Sequence, residues 1–173
     1  MDNTVTKILE KISTYQILNY MIPGSILCLL LKYLVGYDLL TFSVVENIVV
    51  VYFIGMVNSR LSSLVLKPFL KKIKIINEAD HKEFILAEKM DAKLTVLSDM
   101  NNSFRSIANA MLILLLAYIL KHISIIETFV LDNINWISIV SLLILFVLSY
   151  RKQTEYVKER VDVNTSAKKQ KGT

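Results

Sequence analysis

The sequence predicts an all-α integral membrane protein: four transmembrane helices in two hairpins, with a cytoplasmic helical extension between spans two and three. Three observations carry this. Apolar residues are gathered into long runs, and runs of about 18 or more read as membrane helices. Hydrophobic residues make up 54% of the 173-residue chain, and a mean hydropathy of +0.49 is too high for an ordinary soluble domain. The lysines and arginines behind the net charge of +5 concentrate between the hairpins and in the tail, as the positive-inside bias requires.

The chain divides accordingly. Residues 1–16 are expected as an amphipathic interfacial helix, with Val5, Ile8, Leu9 and Ile12 at helical spacing and Lys7, Glu10 and Lys11 opposite. A polar start to the first span is the other reading. Residues 17–66 form the first hairpin. Pro23-Gly24 stands inside its first span, and the span is read as starting at Pro23, the residue type suited to a first helical turn. Gly36-Tyr37-Asp38 turns the chain, and the second span runs from about Val44 to Val65. Lys32 and Glu46 lie equally far from the turn. They form either an ion pair at matched depth or two side chains reaching separately for the interface.

Residues 67–105 are the cytoplasmic helical segment. Pro68 kinks or ends the second span, and Asp80-His81-Lys82-Glu83 has the form of a capping box. Met90, Leu94, Leu97, Asn101 and Phe104 share one stripe. The stretch from Asp80 to Leu120 holds neither glycine nor proline, so one continuous helix is expected there, Asn101-Asn102 being its weakest point. Residues 106–150 form the second hairpin, with an outer loop over 124–133 and with Trp136 and Tyr150 at the ends of the last span. Residues 151–173 are a basic cytoplasmic tail, helical to about Val161 and disordered from Asn164.

Orientation follows from charge. The turn at 36–43 has no Lys or Arg and the loop at 121–134 has only Lys121, whereas 67–105 has eight and 151–173 has seven. Both termini and the middle segment are therefore expected in the cytoplasm. Asp2 and Glu10 dilute the positive region at the N-terminus, and no small-residue cleavage site follows the first apolar run, so a signal peptide is not expected. The single cysteine, Cys28, makes no internal disulfide.

Two constellations stand out. Gly55, Ser59 and Ser63 recur every fourth residue, a small-residue stripe for helix packing in lipid, between spans two and three or between protomers. Asn58, Arg60, Asn101, Asn102, Arg105 and Asn109 fall at comparable depth on antiparallel spans. They are read as a polar interface layer that binds an anionic lipid head group, gates an opening or joins the helices. Arg60 alone has a simpler reading, snorkelling to the nearby surface. His81 has acidic neighbours but no second histidine within reach, and four glycines leave no phosphate-cradling loop. No metal, cofactor or catalytic group is expected. Nor is a nucleic-acid partner, since the basic residues are not interleaved with aromatics.

The wording Gly-x3-Ser-Arg-Leu-x-Ser-Leu-x3-Pro-x-Leu-Lys-Lys from Gly55 to Lys72, followed by Ala87-Glu88-Lys89-x-Asp91-x-Lys93-x3-Leu97-Ser98-x2-Asn101-Asn102-x-Phe104-Arg105, resembles a set of uncharacterised bacterial four-span membrane proteins. The resemblance covers about a third of the chain and carries no catalytic residues. It implies a bacterial inner-membrane protein of phage-defence or stress operons. The expected function is a non-enzymatic anchor or effector subunit that oligomerises and engages a cytoplasmic protein through residues 70–105. The alternative is a channel or transporter subunit with an oligomeric pore. The purely apolar centres of the last two spans, Met111–Leu116 and Leu142–Leu148, count against a pore within one monomer.

Overall fold

Helices make up all the regular structure of the computed structural model, which describes residues 16–91 and 93–171. The surface helix expected at the N-terminus lies outside the described residues, apart from Gln16. Helix α1 is continuous through three segments, Ile17–Met21, Ile22–Leu30 and Leu31–Val35. Helix α2 spans Val44–Lys72. Helices α3 (His81–Glu88), α4 (Lys93–Lys121), α5 (Ser124–Asp132) and α6 (Ile134–Lys171) come after it.

Three of these helices are long and apolar enough to cross a membrane: Val44–Lys72, Lys93–Lys121 and the Ile134–Val163 part of α6. The chain is thus all-helical with the make-up of a membrane protein, and three spans are clear where the sequence predicts four. The apolar part of α1, Asn19–Val35, is shorter. It covers about 25 Å at about 1.5 Å per residue, against a hydrocarbon core of about 30 Å.

Both prolines are handled in the same way. A proline has no N–H and its ring crowds the carbonyl four residues back. In α1 a wide π turn occupies Ile17–Met21, where the Ile22 N–H bonds the Ile17 carbonyl, and Pro23 then opens a new α-helical segment. In α2 the π turn is Ser62–Leu66, the Lys67 N–H bonds the Ser62 carbonyl, and Pro68 comes next. One residue of extra winding before each ring relieves the clash, so neither helix ends at its proline. The expectation that the first span begins at Pro23 is corrected accordingly.

Gly36 closes α1 in the left-handed conformation, φ +89°, and its N–H reaches the Leu31 carbonyl at 2.8 Å. The Val35 carbonyl accepts from the Lys121 ammonium at the end of α4. A cation there also suits the negative end of the α1 dipole. The next charges pair locally. Lys32 meets Asp38 at 2.7 Å, and Asp38 also accepts from the Leu40 N–H. Glu46 belongs to a capping box with Ser43, which starts α2. The Lys32–Glu46 pair is therefore not formed, because each charge finds a partner within six residues and needs no second helix.

Four further expectations are corrected. Asp80 caps α3 through the Lys82 N–H, without a reciprocal bond from Glu83. The single helix expected across 80–120 is broken, not at Asn101-Asn102 but after Glu88. There the Asp91 carboxylate accepts from the Lys93 N–H at 2.9 Å and starts α4 afresh. The outer loop at 124–133 is largely the helix α5, and the tail stays helical to Lys171, beyond the expected end at Val161.

Packing centres on α1, α2 and α4. Leu27, Leu31 and Val35 of α1 meet Ala110 and Leu114 of α4, with Ile54 of α2 against them. Helix α1 crosses α2 at two glycines. A Cβ on Gly24 would stand 2.2 Å from the Val51 carbonyl oxygen, and one on Gly55 would stand 1.8 Å from the Tyr20 carbonyl oxygen. The backbones are in direct contact, which only residues without a side chain allow. Helix α6 is peripheral, touching α2 through Phe53 and Phe146, whose rings are 6.3 Å apart. Its apolar surface, from Trp136 through Leu143 and Val147 to Tyr150, is exposed, as a lipid-facing helix requires.

Overpacking a close crossing costs about 1–3 kcal/mol or more. Gly55→Ala and Gly24→Ala should each lower the unfolding temperature of the purified protein in detergent far more than Val65→Ala on the exposed face of α2. Glycine variants as stable as wild type would show that the helices do not cross here.

Candidate functional site

The charged ends of α2, α4 and α6 meet where α2 leaves its apolar stretch. Residues on opposite sides of α2 serve different neighbours. Asn58 and Ser62, four residues apart, face α4. The Asn58 amide donates to the Ser106 carbonyl at 2.8 Å, and Asn109 donates to the Asn58 side-chain oxygen at 2.8 Å. All three residues are buried. One turn on, the Arg105 Nε donates to the Ser62 hydroxyl at 3.2 Å, and Ser62 donates to the Ser59 carbonyl at 2.7 Å. In an apolar surrounding an unmet amide is costly, so these bonds fix the register of α2 on α4.

The other side of α2 meets α6. Arg60, Ser63 and Leu64 line an open cleft with Ser149, Lys152, Gln153 and Tyr156. The Lys152 ammonium donates to the carbonyl and hydroxyl oxygens of Ser63 and sits 6.0 Å from the Tyr156 ring centre. The charges of Lys67, Lys71 and Arg105 lie close enough to act on it. Glu78, in the loop after α2, folds back onto Lys67 at 2.9 Å and Lys71 at 2.8 Å.

Beyond the cleft, α3 docks on the extension of α6. The His81 ring stacks on Tyr156 with centres 4.5 Å apart and approaches Glu159 at 3.9 Å. Arg160 meets Glu88 at 3.3 Å. No group of three or more His, Cys, Asp or Glu side chains able to hold a metal occurs among the described residues.

The expected polar layer is thus divided. Asn58, Asn109 and Arg105 do come together, with Ser62 and Ser106 added. Arg60 turns to α6 instead. Asn101 is exposed and Asn102 half-buried, and neither joins the hydrogen-bonded layer. The small-residue stripe is divided too. Gly55 packs on α1, not on α4, and Ser63 receives Lys152. Sequence reasoning missed Ser149, Lys152, Gln153 and Tyr156. Their spacing of three, four and seven residues along one helix was the available signal, hidden because both faces of that stretch are polar.

No protein-family model, curated protein or solved structure matches the chain.

This geometry makes two outcomes testable. Asn58→Val and Asn109→Val should each destabilise the protein in detergent, and the double variant should lose about 1 kcal/mol less than their sum, the scale of hydrogen-bond coupling within membranes. Additive losses would mean that the two amides do not act together. The Glu78 carboxyl is pushed up by burial, but hydrogen bonds and charge from Lys71 and Lys67 outweigh this and hold it below its ordinary 4.5. A carboxyl with a depressed folded-state pKa stabilises the fold above its unfolded value, and the contribution is lost as pH falls through the folded value. Acid unfolding below about pH 4.5 should therefore be shallower in Glu78→Gln than in wild type.

Proposed function

We propose that this protein is a non-enzymatic membrane anchor or effector subunit of the bacterial inner membrane, which oligomerises and engages a cytoplasmic protein partner. In this reading α1 completes a four-span arrangement, its short length met by local thinning of the bilayer. Both termini and the α3 region lie in the cytoplasm, on the strength of the charge distribution. A role in bacterial defence or stress response rests on the resemblance of Gly55–Lys72 and Ala87–Arg105 to uncharacterised four-span proteins.

The observation that carries the partner reading is the first half of α4. Val96, Leu97, Met100 and Phe104 are exposed there, Phe104 by 65%, and Met90 just before it is 90% exposed. Polar Ser98, Asp99, Asn101 and Asn102 share this stretch, which argues against its being a lipid-immersed segment. Apolar residues at three- and four-residue spacing on a helix outside the membrane suit a partner's groove. The α3–α6 contacts beside it hold the region in place, so little ordering is needed on binding.

The channel alternative calls for a separate readout. With a benzophenone amino acid at Leu97, ultraviolet crosslinking in the native host should give one discrete adduct, and Met100→Asp with Phe104→Asp should abolish it while leaving membrane levels intact. A dye sensitive to membrane potential should report no depolarisation on expression. Depolarisation that disappears in Arg60→Ala, with no crosslinked adduct, would reject the anchor in favour of a pore.

A further inference from the structure

We infer that the cleft between α2 and α6 is a binding site for a phosphate group, held by Arg60, Lys152 and the Ser149 hydroxyl. This rests on the membrane character of the chain and not on the anchor reading.

Charge is the first argument. The charges of Lys67, Lys71 and Arg105 act on Lys152, which lines the cleft together with Arg60, and the carboxylate near them, Glu78, is already bound by Lys67 and Lys71. Arg60 has no ion pair among the described residues. Cations crowded at a half-dry surface repel one another, and an anion between them removes the penalty.

Open hydrogen-bonding capacity is the second argument. The Ser149 side chain is more than nine-tenths buried and lines the cleft, and its hydroxyl has no partner among the described residues. A buried hydroxyl without a partner points to a group that completes it. Lys152 has three donors, and Ser63 takes two bonds, which leaves the third. Arg60 adds a planar fork suited to two phosphate oxygens. A guanidinium from α2 and an ammonium and a hydroxyl from α6 line the same cleft, donors that suit a tetrahedral anion with several acceptor oxygens.

Position is the third argument. Tyr150, Arg151 and Lys152 end the apolar part of α6, the level at which lipid head groups stand. The cleft opens to the surface of the bundle. A lipid phosphate would approach from that mouth, with its acyl chains along the exposed apolar face of α6.

The test uses the full chain purified in a neutral detergent. Thermal unfolding is followed against dioctanoyl phosphatidic acid, dioctanoyl phosphatidylcholine and inorganic phosphate at constant ionic strength. Phosphatidic acid should raise the unfolding temperature saturably. Arg60→Gln and Lys152→Gln should each raise the half-saturating concentration by about tenfold, as loss of a charge-assisted bond does. Ser149→Ala should raise it by about threefold. Lys152→Arg should retain binding, and Arg151→Gln, whose guanidinium is exposed and pairs with Glu155, should match wild type. A shift with inorganic phosphate equal to that with phosphatidic acid supports the site with free phosphate as its occupant. A shift with the lipid alone supports a head group. Equal shifts with phosphatidylcholine, no saturable shift with either anion, or unchanged affinity in both charge-removing variants would overturn the site. If Lys152→Gln does not fold, Ser149→Ala and Arg60→Lys carry the same comparison.

Discussion

The Gly24–Gly55 crossing sets the geometry on which the rest depends. Two helix backbones in contact leave little freedom to rotate about their axes, because any turn of α2 would bring a side chain against the Tyr20 carbonyl. Once Gly55 is fixed on α1, helical periodicity dictates the rest of α2. Asn58 and Ser62 must face α4, while Phe53, Arg60, Ser63 and Leu64 lie roughly opposite and must face α6. The buried amide layer and the cationic cleft are therefore two consequences of one contact. In lipid this matters more than in water, since apolar area buried between helices gains little over contact with acyl chains. Shape and a few polar bonds have to specify what a hydrophobic core would otherwise specify.

The π turns belong to the same constraint. Two of the three, at Ile17–Met21 and Ser62–Leu66, add a residue to the winding just before a proline and so rotate the helix face on the C-terminal side, while the third, Leu31–Val35, ends α1 at Gly36. The turn at Ile17–Met21 precedes Gly24, and the turn at Ser62–Leu66 precedes the lysines that hold Glu78. Proline is used here to change the direction a helix face presents without ending the helix. The chain then holds that direction by capping the ends with charge, as Lys121 does on Val35.

Legibility in the sequence depended on the range of the interaction. The apolar spans were legible because lipid imposes a length and a composition on each segment by itself. The Asn58–Asn109 contact was legible as a matter of depth, since both residues stand at similar distances from a charged boundary. Partners were not legible where two solutions compete. Lys32 could reach Asp38 or Glu46, and only the Ser43 capping box, which occupies Glu46, decides between them. The break at Asp91 was hidden because aspartate is tolerated within helices. Its side chain becomes a cap only when the chain must turn so that α3 can lie against α6. The helical tail was hidden by a similar dependence on its surroundings. The stretch from Gln153 to Lys171 is polar enough to stay unfolded alone, but it continues a helix already nucleated in the membrane, so it avoids the cost that makes isolated polar helices marginal.

Tyr156 gives the charged end of the molecule its coherence. Its ring lines the cleft on one side and stacks on His81 at the start of α3 on the other, while Lys152, one turn back, holds Ser63 of α2. The membrane bundle and the α3 platform therefore share side chains on one stretch of α6, from Ser149 to Arg160. Helix α6 has few other attachments to the bundle, chiefly the Phe53–Phe146 contact. A peripheral helix held mainly at one end can adjust its tilt at little cost, and the groups at that end then decide the tilt. Any ligand that alters the charge balance around Lys152 acts on the same few residues that seat α3. By linkage, whatever seats α3 acts equally on the cleft.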